Sequence, residues 1–461
     1  MMANHSLMKE RLPITLAIAI FMQMLDSTIL NTALPAIAQD LHQSAINMHY
    51  AIVSYVLTLA VLMPVSGFLA DRFGTRKIFL LALVVFSVGS LLCALSQTLT
   101  HLIIARIIQG AGGSLLTPVG KLALIKTFKS KEMVQAMNFA IVPALIGPVM
   151  GPLVGGYVSV YLSWHWIFLI NIPIGVLGIV LALNYMPDYR SESPTFDLHG
   201  FLYFSLASLL LSLSIELLGD IRNLTLVLTI FIVGILLMVL YFAYARRSAN
   251  PLFPLNLFMV RTFRVGILGN FATRLGISAV PLLLPLMIQT IYGQSAIVSG
   301  WMLAPMALMA IFAKSRVINI LSRFGYRNTL VVNTTIIGLL IGALAIPGIH
   351  TNLYWFVPII FSLGFFNSIQ FTSMNSIALA DLRQHHTSSG NSLLAVNQQL
   401  AIGFGISTGL VVLKYFQFGT ALTHHNAHNA FRYTFVVMGL ISILASLVFR
   451  RLHPSDGTNL Q

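Results

Sequence analysis

Fourteen runs of apolar residues, broken by short polar stretches, leave this chain one environment in which to fold. They fall at 13–37, 47–70, 78–97, 101–124, 134–160, 166–186, 198–218, 224–245, 263–291, 297–320, 329–347, 353–377, 389–413 and 430–449. A helix of about 20 residues spans a hydrocarbon core of about 30 Å. Backbone groups inside lipid must bond to one another, so each run is expected to be a helix. Charged residues make up only 8% of the 461, where a soluble domain carries roughly a quarter. The predicted class is an all-α integral membrane protein. The first run has no small-residue cleavage site and is expected to stay as a helix rather than leave as a signal peptide.

A net charge of +14 could suggest nucleic acid as a partner. No Lys/Arg-rich patch of a folded domain is present, however, and no nucleic-acid partner is expected. The charge sits in alternate short loops. Eighteen Lys and Arg, among them Lys9, Arg11, Arg72, Arg76, Lys77 and Lys126, fall on one side of the predicted spans. Only Arg222, Lys414 and Arg432 fall on the other. The positive-inside rule then places both termini in the cytoplasm, as an even span count also requires. Cys93 is the only cysteine, so no intrachain disulfide can form.

One feature is out of place in an apolar helix. Asp26 lies in the first run, within Leu25-Asp26-Ser27-Thr28-Ile29-Leu30-Asn31. Counted from Pro13 it is roughly 20 Å along the helix, near mid-membrane. A carboxylate there costs several kcal/mol unless it faces a bundle interior or a wet cavity. Of twelve acidic residues only Asp26 and Glu216 fall within runs, and Glu216 is expected to reach water at a helix end. Asp26 is thus the candidate proton carrier; the plainer reading is an ion pair that only holds helices together. Arg106, near the outer end of the fourth run, is expected either to approach Asp26 and favour its charged form or to snorkel to the interface.

The chain also repeats itself. Asp71-Arg72-Phe73-Gly74-Thr75-Arg76 and Ser322-Arg323-Phe324-Gly325-Tyr326-Arg327 match at a shift of 251 residues. This predicts two six-helix halves of like topology around a central site. The division expected is 1–190 for the first bundle, 191–262 for two inserted helices and a cytoplasmic amphipathic link, and 263–461 for the second bundle. The shift sets Arg274, mid-way along the ninth run, opposite Gln23, one turn from Asp26. Asp26 and Arg274 are therefore expected to face one cavity, with Gln23, Asn31, Gln109, Asn367, Gln370 and Asn397 as further lining candidates. Lys314 adds a cation in the tenth run. The competing reading of the amides is interhelical bonding.

Gly147, Gly151 and Gly155 stack on one helix face. With Pro148 and Pro152 they predict a smooth, kinked surface for a neighbouring helix. In the loop 67–77, Gly67 is expected to allow close helix approach and Gly74 a turn closed to other residues. Asp71 is expected to accept from Arg72, Arg76 or a facing helix end and lock a gate. His424, His425 and His428 have metal-like spacing but no Cys or carboxylate beside them, so no metal is expected. Without a G-x-x-x-x-G-K-[ST] motif or a catalytic constellation, neither ATP use nor an enzyme is expected.

These motifs resemble a known family. Gly67-Phe68-Leu69-Ala70-Asp71-Arg72-Phe73-Gly74-Thr75-Arg76-Lys77 is similar to the loop signature of the major facilitator superfamily. Arg106 with Gln109, Gly110 and Gly113 is similar to its fourth-helix motif, and Gly147-Pro148 through Gly155-Gly156 to its antiporter motif. The L-D-S-T-I-L-N-T-A-L-P opening and fourteen runs resemble the 14-spanner drug:proton antiporters of the EmrB/QacA type. S-W-H-W-I-F-L-I-N-I-P (163–173) and S-S-G-N-S-L-L (388–394) look most like MdtD-type proteins. The second loop copy departs from the signature at Ile318 and Ser322, which predicts an asymmetric latch.

The resemblance implies a proton-coupled exporter of small molecules, often lipophilic or cationic, in the bacterial inner membrane. Its energy would come from the proton gradient, with no cofactor. Its partners would be cargo, protons and lipid, with a periplasmic adaptor and outer-membrane channel as further candidates. Two alternatives stand beside it: export of an anionic metabolite such as a citrate-like acid or siderophore, favoured by Arg274 and Lys314, and a non-transporting sensor of the same fold.

Overall fold

The computed structural model describes residues 2–128, 130–191, 195–218, 224–383, 387–418 and 426–458. Its described elements are helical. They begin with α1 (Met2–Asp40), α2 (His49–Leu62), α3 (Val65–Phe73), α4 (Thr75–Ala94), α5 (Leu99–Thr127), α6 (Ser130–Tyr161), α7 (His165–Leu169) and α8 (Asn171–Tyr185). Then follow α9 (Leu198–Leu217), α10 (Leu224–Ala245), α11 (Arg261–Ile277), α12 (Val280–Thr290), α13 (Ala296–Ala343), α14 (Phe356–Leu379), α15 (Thr387–Phe418) and α16 (Ala427–Phe449). Among the described residues, eleven helices are long and apolar enough to cross a membrane, and the bent α2–α3 pair makes a twelfth. The chain is a multi-pass membrane protein.

The chain forms two compact units, 1–196 with 295–301, and 197–294 with 302–461. In the first, α1 packs along α6 and α8, and α5 along α2 and α4. In the second, α11 packs on α14, α15 and α16, while α9 and α10 pair with each other and α9 lies on α15.

Several runs are broken rather than straight. The second run bends by 57° between α2 and α3, where Pro64 lacks an N–H and its ring opposes a continued helix. The ninth breaks at Ser278 and Ala279 between α11 and α12. Pro281, in the first turn of α12, is tolerated only at such a start. Arg274 consequently lies in the last turn of a short helix. The 48 residues of α13 span about 72 Å at 1.5 Å each, more than twice a bilayer. Gly325 (φ 71°, ψ 165°) interrupts it. Gly74 (φ 104°, ψ 139°) separates α3 from α4 in the same way, so the two copies of the loop motif each place glycine in a conformation that side chains oppose. A Cβ at Gly74 would also strike Asp188.

The link after α10 is mostly irregular backbone. A single 3₁₀ turn covers Leu255–Met259, with Phe253 and Leu257 buried. Leu252 N–H donates to Asp197 and Phe253 N–H to the Tyr241 hydroxyl, which ties the link to α10 and the start of α9.

Candidate functional site

α1 carries Asp26 into the centre of the first unit, where four other helices meet it. The carboxylate is fully buried and accepts three hydrogen bonds. Arg106 of α5 donates to Oδ2 at 2.7 Å. Gln109 of α5 and Asn171 of α8 donate to Oδ1 at 2.8 and 2.9 Å. Arg106 is itself only 1% exposed, so the snorkelling reading fails. Its Nε donates to the Ala51 carbonyl of α2 at 3.1 Å, and the guanidinium lies over the Tyr55 ring at 4.0 Å. Gln109 closes the network, accepting from Arg106 at 2.5 Å and donating to Ser90 of α4 at 2.7 Å.

Two opposite charges removed from water are tolerable only when their remaining polar groups are bonded, and a buried pair adds little stability over apolar packing. Such a cluster is expensive as mere glue. Chemically it is a carboxylate whose charge decides whether three helices stay tied. Protonation of Asp26 removes the ionic part of the Arg106 bond and takes up the carboxyl's remaining acceptor site, which weakens the hold on its three donors. Asn171 and Ser90, essential to this arrangement, were not among the sequence candidates. The one available signal was an amide in an apolar run two residues before Pro173.

The glycine stripe of α6 lies against the same helix. Cβ atoms added at Gly147, Gly151 and Gly155 would collide with α1 at Met24, at Thr28 and at the Ile29 carbonyl. Thr32 donates to the Pro152 carbonyl at 3.1 Å across this contact. Gly67 differs: nothing lies within 4 Å of where its Cβ would stand, so the expected close approach there is corrected. Gly155→Ala is therefore expected to lower stability by about 1–3 kcal/mol through overpacking, while Gly67→Ala is expected to be neutral or slightly stabilising. Thermal melts of the two purified variants check the contrast.

Of the partners expected for Asp71, the structure has the facing helix end and neither neighbouring arginine. Lys126, at the end of α5, pairs with Asp71 at 2.7 Å. Arg72 instead stacks on Phe68 and Phe73, and Arg76 donates to the Leu183 carbonyl. The segment after α8 straps this turn: Thr75 N–H donates to Tyr189 and Ser191 N–H to the Asp71 carbonyl, each at 3.1 Å.

In the second unit Arg274 is held by neutral groups. Its Nε donates to Asn270 at 2.9 Å and its guanidinium lies 4.8 Å from the Phe371 ring. Asn270 and Gln398 both donate to Asn375. No carboxylate pairs with Arg274 or Lys314 among the described residues. Gln370 is fully buried between Asn333 and Thr334, an interhelical bond rather than a lining position. Asn397 donates to the Ile267 carbonyl at 3.1 Å, and Gln23, also buried, accepts from Thr117 at 2.8 Å. Asn31 and Asn367 are half-buried. Asp26 and Arg274 belong to different units.

Glu216 does not reach water as expected; it is buried in the second unit and accepts from the Ser407 hydroxyl. Lys121, half-buried in α5, is a basic residue within a run that the sequence candidates omitted. His424 and His425 lie outside the described residues. His428 rests against the Tyr292 hydroxyl at 3.4 Å.

Comparison with known proteins agrees with this architecture. The family model of the Major Facilitator Superfamily matches residues 16–406. A Haemophilus influenzae protein that bears the name "Probable transport protein HsrA" is 40% identical over 446 residues, 96% of each chain. A Pectobacterium atrosepticum protein named MdtD, for multidrug resistance, is 39% identical over 95% of this chain and 94% of its own. Among solved structures, a peptide transporter in complex with sulfate superposes with a TM-score of 0.71 at 15% identity, covering 97% of this chain and 95% of its own. A bacterial homologue of the human lysosomal transporter Spinster gives 0.66 at 15% identity, over 96% of both chains. Similarity end to end with named transporters excludes an enzyme, and the chain belongs to the major facilitator superfamily.

Proposed function

We propose that the protein is a proton-coupled antiporter that exports small molecules from the cytoplasm across the bacterial inner membrane by alternating access. The observation that carries this reading is Asp26, a carboxylate at bilayer depth whose charge sets the bonding of α1 to α5 and α8. Periplasm-side protonation would loosen the cluster; cytoplasm-side deprotonation would re-form the Arg106 pair. Arg106 tunes this exchange, and Gln109 relays it to α4. The stripe of Gly147, Gly151 and Gly155, with Pro148 and Pro152, supplies the bare face on which α1 can shift. The ion pair of Asp71 with Lys126, and the turn at Gly74, would steady the cytoplasmic end.

Fourteen spans fit this reading. To the eleven apolar helices and the bent pair it adds α6 and a second crossing in α13 beyond Gly325. Both termini then lie in the cytoplasm under the positive-inside rule. The names of the relatives support drugs as one cargo class. Of the lining candidates, Asn31 in the first unit and Arg274 and Asn367 in the second are half-buried and could each meet cargo within its own unit.

Inside-out vesicles test the function. With an imposed pH gradient, adding ethidium or 2-naphthoate, whichever the protein exports, should draw protons out of the acidic lumen and reduce the gradient. A sensor without transport would leave the gradient unchanged for every compound tried.

A further inference from the structure

The second unit contains a cavity of about 540 Å³ that none of the proton-coupling residues line. Its walls are the stretch of α13 before Gly325, Tyr326 just beyond it, and the C-terminal half of α14. Lys314, Tyr326, Thr372 and Ser376 are its polar groups, set among aliphatic side chains such as Leu321 and Leu379. The Tyr326 and Ser376 hydroxyls bond each other. A volume of this size suits a drug-sized ligand, and a mostly apolar wall with a few convergent polar groups is the usual makeup of such sites.

Lys314 has no carboxylate partner among the described residues, and Arg274 has none either. A carboxylate is nevertheless close in the chain: Asp381, next to the wall residue Ala380, accepts from the Thr262 hydroxyl. The two cations are linked through α14. Thr372 and Ser376 face the cavity, while Phe371 and Asn375, about 100° round the helix, face Arg274 directly or through Asn270. Lys314 is exposed on the open side of the cavity, within the last third of the tenth run. A basic side chain within an apolar span and without a counter-charge marks a functional site by default. Its electrostatic attraction for an anion is stronger in a weakly polar cavity than in water.

We propose that this cavity binds the anionic group of an amphiphilic molecule, a carboxylate or phosphate, with the Lys314 ammonium as its counter-charge. The hydroxyls of Thr372 and Ser376 supply neutral donors, and the aliphatic wall takes the apolar body. The assignment of that molecule as cargo rests on the export reading; binding itself does not. The same chemistry could come from a cytosolic amphiphilic acid or from the headgroup of an anionic lipid, and Lys314 would serve either.

Equilibrium dialysis of the full-length protein in phosphatidylcholine nanodiscs tests this, with 2-naphthoate as the probe and 2-naphthylmethylammonium as its matched cation. Saturable binding of the acid is expected, at least tenfold weaker in Lys314→Gln and within about threefold of wild type in Lys314→Arg, with the cation binding more weakly than the acid. Thr372→Val with Ser376→Ala should weaken the acid without removing it. Repeating the titration with phosphatidylglycerol in the discs separates the sources. Displacement of the acid, with phosphatidylglycerol retained by wild type but not by Lys314→Gln in native mass spectrometry, assigns the lipid headgroup. Undiminished binding assigns the soluble acid. Equal affinity for acid and cation, or the same acid affinity in wild type and Lys314→Gln, would overturn the proposal. That outcome would leave pH-driven export standing, whereas loss of export coupling in vesicles with Lys314-dependent binding intact would reject the antiporter and keep the site.

Discussion

Asp26→Asn is expected to abolish uphill export driven by a pH gradient while leaving gradient-free exchange of the same compound measurable. The substitution keeps the side chain's size and one oxygen for Arg106, so α1 should still pack on α5 and α6. It removes the group that alternates between charge states. Without a bound proton to return, the transporter can exchange cargo across the membrane but cannot drive it uphill. Counterflow in vesicles without a gradient and efflux with one separate the two activities; a loss of at least tenfold is expected in the second alone. Equal loss in both would instead indicate a folding defect, which a thermal melt would reveal.

Arg106→Ala should be more damaging. Removing one partner of a buried ion pair leaves an uncompensated charge and typically costs about 3–5 kcal/mol. Here it also removes the bond to the Ala51 carbonyl and the packing on Tyr55. Lower yield and a lower melting temperature are expected, together with a displaced pH profile of transport in the protein that survives. Arg106→Lys keeps the charge but not the planar fork that reaches Asp26, Gln109 and Ala51 together, so it should restore stability better than coupling. An unchanged pH profile in both variants would remove Arg106 from the coupling step and leave it a structural residue.

The helical, multi-pass character and the special residues were legible in the sequence because lipid imposes a strict pattern: length marks apolar helices and an ionisable group within one stands out. Asp26 and Arg106 could be singled out that way, since neither belongs in hydrocarbon without a partner. Their bond was legible only as one of two readings, beside an Arg106 that snorkels outward, because it joins positions 80 residues apart through the packing of α1 on α5. Asn171 was missed for the same reason, being 145 residues from Asp26. At Asp71 the sequence left three partners open, and only the course of α5, which brings Lys126 alongside, chooses the facing helix end over Arg72 and Arg76. Glu216 looked water-accessible from its place near the end of a run, but the packing of α9 on α15 closes over it. The bend in the second run and the break in the ninth had visible signals in Pro64 and Pro281. The close contact of α6 was legible at Gly155 and absent at Gly67, since glycine alone does not say what approaches it.

The central claim is that the Asp26 carboxyl itself takes up and gives back the proton. Difference infrared spectra of the purified protein, stepped in pH between values typical of the two sides of the membrane, test it without any cargo. A protonated-carboxyl C=O band that appears on acidification in wild type and is missing in Asp26→Asn is the expected result. The same band at full strength in Asp26→Asn would contradict the account.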